Sequence, residues 1–443
     1  MDVLIPEKII IVCDFVPDKN TKIKGYKKDK LMYAISKIFI PTPKQLQNEQ
    51  DMKEISSYEW KTDLSDNYRD VLDFGEELGI IVCDHQYEEG EKSMGYMIAP
   101  EWISNPTIFE IEDFCLVRKF IKNVKSIKNS SCPHLDKRIT DPSLTLSISS
   151  DEYLKNYTLI ENNLSTNQLT YDLWTLLKYE QNNHTAKRDL TSGRYHSIVS
   201  STSKRIRPYL RFNGEQLVEL DITNCQPFCS LLLLDPDFYL KELKKSKINL
   251  TKITKLSFFS HSSNINHLLS PSTSIPSIKI REILKQADSK DVEIYKKVVL
   301  EGKLYEWVQS IVESKLNLKL SRSEIKEAFF YVLYSGKKAV RSEWVHPDLF
   351  EIKRLIYSLL PNVFAIFNQF KKTDYRTLSI LLQRIESYLI IDLITKSIPQ
   401  GIPIYTIHDS ILTSPKHAKY VQKKLIEDIE KYTGFSPKIV IKD

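Results

Sequence analysis

Between residues 321 and 338 the chain reads SRSEIKEAFFYVLYSGKK, which sets Arg322, Lys326, Phe330 and Tyr334 at four-residue intervals. On a helix each such step drifts by about 40°, so the four side chains cover an arc of about 120° over roughly 18 Å. Ser321 and Glu324 make a capping-box pattern that opens the helix just before Arg322. A helix N-terminus already attracts anions, and Arg322 and Lys326 there would cradle a triphosphate. Phe330 and Tyr334, further along, would offer flat surfaces to a sugar and a base. The same stripe also fits an ordinary amphipathic helix whose cations snorkel to water. Taken alone, the helix leaves both readings open.

Two carboxylates complete the chemistry. VELDITNCQP (218–227) puts Asp221 at the end of an apolar strand, where a carboxylate is costly unless a cation neutralises it. Capping the helix that follows is the other use for Asp221. YTIHDSI (405–411) puts Asp409 in a tight turn, a common place for aspartate on its own. Together, two aspartates from separate strands at the rim of one sheet suit two Mg²⁺ ions, with Mn²⁺ as a substitute. One ion would activate an attacking hydroxyl and the other would steady a leaving pyrophosphate. The cationic helix lies between the two aspartates in the chain and would hold the bridging triphosphate.

The elements that must position these residues follow from periodicity. GEQLVELDIT (214–223) alternates as a strand, and QPFCSLLLL continues as an apolar helix. RTLSILLQRIESYLIIDLITKSI (376–398) reads as one long amphipathic helix. IPIYTIHDSILTS (402–414) reads as a hairpin around His408 and Asp409. KHAKYVQKKLIEDIEKYTG is a helix closed by Gly434, and PKIVIKD is a last strand. An antiparallel sheet backed by helices is expected.

The order Asp221, then Arg322–Lys326–Phe330–Tyr334, then His408–Asp409 resembles motifs A, B and C of family A DNA polymerases, over roughly residues 190–443. That family's helix pattern usually has glycine directly after the tyrosine, whereas here Ser335 precedes Gly336. The resemblance implies that Arg322 and Lys326 bind nucleotide phosphates, that Phe330 and Tyr334 contact sugar and base, and that Asp221 and Asp409 ligate the metals. It also implies that His408 orients the primer end or a phosphate; a turn histidine with a satisfied hydrogen bond is the alternative. TSGRYHS (191–197) resembles a primer–template-contacting stretch, which gives that role to Arg194, and Gln383 resembles a glutamine that reaches the minor groove. The family's DNA-synthesising members carry a bulky Glu five positions after the first Asp, as a gate against a 2′-hydroxyl. Gln226 stands there. Ser410 replaces the acid that usually follows the second Asp, so HDS resembles the phage-type single-subunit RNA polymerases of the same fold. Phe330 favours the DNA relatives.

KRIRPYLR (204–211) offers Lys204, Arg205, Arg207 and Arg211, with Tyr209 interleaved, to a phosphate backbone; a merely solvated basic stretch is the competing reading. A net charge of +6 is compatible with nucleic acid without requiring it. Six cysteines without a CxxC pair argue against a metal or disulfide framework, and Cys225 and Cys229 read as core. No apolar run is long enough for a membrane span and no signal peptide is apparent, so a soluble, cytoplasmic monomer is expected.

Ahead of the core, NYRDVLDFGEEL (67–78) reads as a helix, GIIVCD as a strand, HQYEEGEKS as a charged tip and MGYMIA as a second strand. That is the order of a winged-helix unit, although three glutamates at the tip are poor chemistry for phosphate. The expected fold is α+β: a right-hand polymerase with an antiparallel palm, helical fingers and a small N-terminal α+β module. Its divisions are the module at 1–127, a linker and reduced thumb at 128–189, palm at 190–235, fingers at 236–375 and palm again at 376–443. Residues 128–152 and 260–277 read as a linker and a loop. No proofreading exonuclease is recognisable. The expected activity is primer extension with deoxynucleotides on a DNA primer–template. An RNA polymerase or primase is the alternative within the same chemistry. A replication-initiation or DNA-binding protein with an inactive polymerase-like domain is the alternative outside it.

Overall fold

Along Val218–Ile222 every second side chain is buried, with Val218, Leu220 and Ile222 facing inward and Glu219 and Asp221 partly exposed. That alternation is what a half-buried strand requires. The computed structural model describes every residue except 14–15, 19–25, 49–50, 90, 126–129, 161–163, 241–246, 255–289, 337–347, 373 and 443. The chain divides into two units, one made of Met1–Lys128, Thr140–Ala186 and Ser201–Gly214, the other of Asn129–Ile139, Lys187–Ser200 and Glu215–Asp443. These units interleave along the chain, each being made of three segments.

The second unit holds a four-stranded antiparallel sheet in the order Ile404–Ile407, Ser410–Thr413, Val218–Ile222, Ile439–Lys442. Helix Pro415–Thr433 packs on the last three of these strands and ends at Gly434, whose φ of 82° is the left-handed stop expected of a glycine there. Helix Cys225–Ser230 packs against helix Arg376–Ser387, and Cys225 and Cys229 are buried free thiols. The long helix expected over 376–398 is present without a break from Arg376 to Ser397, α-helical to Ser387, π-helical over Tyr388–Ile394, then α-helical again. Its Asp392 pairs with Arg188, a partner 204 residues away, which a local pattern does not reveal. Between the two halves of the sheet the described elements are all helices joined by turns and short irregular stretches, and the Arg322–Tyr334 helix packs against Leu304–Leu316, Leu349–Leu359 and Arg376–Ser387.

In the first unit, helices Lys28–Phe39, Ser57–Leu64 and Tyr68–Glu77 accompany a three-stranded antiparallel sheet in which Gly95–Ile98 lies between Lys53–Glu54 and Ile81–Cys83. The helix, strand, tip and strand expected over 67–99 are therefore present. Gly75 lets this helix approach its strand closely, since a Cβ there would meet Ile81 Cδ1 at 2.5 Å. The exposed side chains of the helix are Arg69, Asp70, Asp73 and Glu77, a predominantly acidic set. Elsewhere in this unit, helix Thr166–Glu180 starts at a Ser165–Gln168 capping box and buries Leu169, Leu173, Leu176 and Leu177 against Leu4, Ile148 and Ile206.

The stretch 128–152, expected as a linker, is built into the fold over its described residues. Pro133–Ile139 is a helix, Leu144–Leu146 a strand, and Ser150 opens another helix. Within the second unit, Arg138 is 4% exposed and donates to the carbonyls of Ile398, Pro399 and Ile402. Serine and proline content gave the appearance of a linker, while the buried residues that anchor the segment are few and spaced. The predicted loop at 260–277 lies outside the described residues.

Candidate active site

The hairpin closes with Ile407 opposite Ser410, which leaves His408 and Asp409 as a two-residue turn. His408 takes a φ of 54°, the positive value that such tight hairpins need and that histidine tolerates better than a β-branched residue does. Its ring meets His196 edge-on, with centroids 5.8 Å apart. On the neighbouring strand Asp221 lies opposite Ser410, and the Ile222 N–H donates to the Asp409 carbonyl at 3.4 Å. Asp221 and Asp409 thus stand at the same end of adjacent strands.

Burial pushes the Asp409 carboxyl above its ordinary range, and the negative charge of Asp221 adds to the shift; Arg194 and Lys326 act against it. A buried carboxylate held beside a second negative charge is a site that a hard divalent cation would relieve. Lys442, on the other strand beside Asp221, puts its ammonium 2.9 Å from the Asp221 carboxylate. The helix-cap use of Asp221 is not adopted: Asn224 holds that position, with a left-handed φ of 56°. Asn224 is 8% exposed, and neither polar atom of its amide finds a hydrogen-bond partner among the described residues.

The Arg322–Tyr334 helix begins as its sequence implies. Ser321 accepts from the Glu324 N–H, and Glu324 reaches back to the Ser321 N–H. Ile325, Phe329 and Val332 are fully buried, while Arg322 and Lys326 are exposed. Arg322 Nε lies 2.5 Å from Glu306 and its guanidinium stands over the Tyr305 ring. Lys326 Nζ is 5.8 Å from the centre of the Phe330 ring, and Phe330 stacks on Tyr334 at 5.7 Å with ring planes 6° apart. Ser335 is extended and ends the helix. Lys371 donates to the Leu333 and Ser335 carbonyls and Lys353 to Ser335 Oγ and the Gly336 carbonyl, cations suited to a helix C-terminus.

At the Tyr334 end a polar chain runs inward. The Tyr334 hydroxyl donates to Gln226 Oε1 at 3.0 Å. Gln226 Nε2 donates to Glu386, and Glu386 pairs with Arg194 at 2.9 Å. Burial pushes the Glu386 carboxyl up to about 7, with Arg194 opposing and Asp409 reinforcing the shift. Arg384, fully buried on the same helix, donates from Nε to the Thr191 carbonyl at 2.7 Å and so ties the TSGR loop to this helix. Sequence reasoning missed Glu386, Arg384 and Asn224. The available signal was a glutamate and an arginine on the side of RTLSILLQRIES that its leucines and isoleucines mark as buried.

The residues expected to meet primer and template part company. Arg194 and the half-buried Gln383 belong to the second unit, and Arg194 is turned onto Glu386. Lys204, Arg205, Arg207 and Arg211 belong to the first unit. Arg205 pairs with the fully buried Asp172 at 2.6 Å, Arg207 donates to the Thr202 carbonyl, and Arg211 donates to the carbonyls of Pro208 and Leu210. Only Lys204 of these four is exposed. In the first unit, Glu76, Cys83 and His85 bring ligand atoms within 4.8 Å of one another, a thiol-bearing set unlike the all-oxygen environment magnesium prefers. No helix among the described residues is long and apolar enough to cross a membrane. No protein-family model matches the sequence, and a search of curated proteins returns no match.

Proposed function

We propose that the chain is a template-directed nucleotidyltransferase with a right-hand, family A-like core, a DNA polymerase that adds deoxynucleotides to a primer 3′-end. The observation that carries the reading is one constellation in the second unit. Asp221 lies near the end of one strand and Asp409 sits in the turn that opens the neighbouring strand, while the helix that carries Arg322 and Lys326 ends with Tyr334 hydrogen-bonded to Gln226, five residues after Asp221. Residues nearly two hundred positions apart converge as a nucleotide would need them: acids for metal, cations for phosphates, aromatic faces for sugar and base.

Two Mg²⁺ ions, when bound, would lower the pKa of the attacking 3′-hydroxyl and stabilise the leaving pyrophosphate. Asp221 and Asp409 would be their protein ligands. Arg322 would exchange the exposed Glu306 carboxylate for phosphate oxygens, and Lys326 would add a second cation along the same face. The stacked Phe330 and Tyr334 rings would bound the sugar and base, with Gln226 beside the sugar as the gate. Catalysis would then rest on positioning and electrostatics rather than on a covalent intermediate. Ser410, whose identity favours RNA synthesis, is buried with Oγ 3.2 Å from the Ile407 carbonyl, so it serves the hairpin. In the first unit, the acidic exposed side of Tyr68–Glu77 gives no electrostatic support for winged-helix contact with phosphate.

The test is primer extension on defined DNA and RNA templates, with each nucleotide class and Mg²⁺, using the full chain and its Asp409→Asn variant. Extension with deoxynucleotides is expected, reduced at least about a hundredfold in the variant, on the scale of losing one key electrostatic group. A wild type that extends no primer, or a variant that extends equally well, removes the catalytic reading and leaves an inactive polymerase-like domain. Preference for ribonucleotides would select the RNA polymerase or primase alternative.

A further inference from the structure

We propose that Glu386 is the positioning residue for the Gln226–Tyr334 pair, and through it a determinant of which sugar the site accepts. The proposal rests on the nucleotide reading above and deepens it. Glu386 is 1% exposed, on a helix that packs against the Gln226 helix. Arg194 meets it side-on, Nε to Oε1 at 3.0 Å and Nη2 to Oε2 at 3.2 Å, so the carboxylate plane is held from one edge. Its Oε2 also accepts from Gln226 Nε2.

This contact decides how the Gln226 amide points. When ionised, the Glu386 carboxylate accepts hydrogen bonds and donates none, so in that form the amide turns its NH₂ group toward Glu386 and its carbonyl toward Tyr334. The Tyr334 hydroxyl then has a fixed task, to donate its proton to Gln226 Oε1 at 3.0 Å. Removing the carboxylate would free the amide to reverse, and Tyr334 would then accept rather than donate. Glu386 touches neither metal ligand in this chain of contacts, and acts on the sugar end only through Gln226.

The junction also favours a single ionised carboxylate. A glutamate at position 226 would set a second carboxylate within hydrogen-bond distance of the first in a buried site, where two like charges cannot both ionise. Exchanging the two residues would restore one carboxylate, one amide and the Arg194 cation. Glu386 and Gln226 are therefore a matched pair with an interchangeable order.

Four full-length proteins test this: wild type, Gln226→Glu, Glu386→Gln and the double exchange. Two quantities are read, the ratio of deoxynucleotide to ribonucleotide incorporation in single-nucleotide primer extension, and the thermal midpoint. Each single variant is expected to lower the ratio by about tenfold, the scale of one buried hydrogen bond to a charged group, and the double exchange to recover most of it. Glu386→Gln that melts earlier but keeps the wild-type ratio would reduce Glu386 to a structural residue and overturn the proposal. A double exchange no better than the product of the single effects would overturn the pairing. If the wild type incorporates neither nucleotide class, the nucleotide reading falls and this role with it. The melting cycle would then still report, by its additivity or lack of it, whether Gln226 and Glu386 form a coupled pair.

Discussion

The two ends of the Arg322–Tyr334 helix are held in opposite ways. At the Arg322 end the partner is Glu306, sixteen residues back, and both side chains are about half exposed. At the Tyr334 end the partners are Gln226, 108 residues away, and beyond it the buried Glu386 and Arg194. An exposed pair contributes little, is screened by salt and is readily exchanged for another ion. A polar chain anchored on a buried carboxylate fixes geometry, and breaking one link strands the next. One end is thus suited to releasing its partner for a polyanion, the other to keeping a fixed shape.

Four measurements sharpen or break that contrast. Lys326→Ala should raise the nucleotide KM by about tenfold to a hundredfold, the 1.5–3 kcal/mol typical of a contact to a charged group, with little change in melting temperature. An unchanged KM would remove the exposed end from nucleotide binding. Tyr334→Phe should instead act on stability, lowering it by about 1–3 kcal/mol in denaturant titration, because Gln226 Oε1 loses its donor in a half-dry setting. A neutral result would mean that the buried end is not a connected network.

The third concerns pH. Glu386 is raised to about 7 in the fold, mainly by burial, so the folded chain holds that proton more tightly than the unfolded chain does. This contribution to stability is complete below the ordinary carboxyl value of about 4.3 and is lost as pH rises through about 7. Melting temperatures between those limits should therefore fall less steeply with pH in Glu386→Gln than in wild type. Parallel profiles would contradict it. The smallest effect is expected for Glu306→Ala, below about 1 kcal/mol in stability because the pair is exposed. Its informative readout is tighter binding of inorganic triphosphate, since Arg322 loses its competitor; weaker binding would show that Glu306 orients Arg322.

The contrast also explains what was legible in the sequence. The capping box at Ser321, the hairpin at His408–Asp409 and the stop at Gly434 depend on residues within a few positions, and all three are found where their local chemistry puts them. The alternation that buries Leu220 and leaves Asp221 partly exposed is local too. Glu386 depends on partners 160 and 192 residues away, and nothing near it in the chain names Gln226 or Arg194. The partner of Arg205 also lies outside its local stretch of chain. Within a basic run it reads as a phosphate ligand, and no local pattern reveals the buried aspartate that pairs with it. In the stretch 128–152 the helices and strand were illegible for another reason: composition describes solvation and not the few side chains, such as Arg138, that pin a segment in place.

Lys442 gives the metal question an unexpected form. Its strand lies at the margin of the four-stranded sheet, and its ammonium already sits against Asp221. Loading a divalent cation there would be ion exchange rather than simple addition, with the protein's own cation as the species displaced. Whatever Lys442 gains from Asp221, an incoming ion must exceed. By reciprocity, an occupied site loosens the tether of that marginal strand, and fraying of the strand eases occupation. Metal affinity and the integrity of the sheet's edge would then be two readings of one equilibrium.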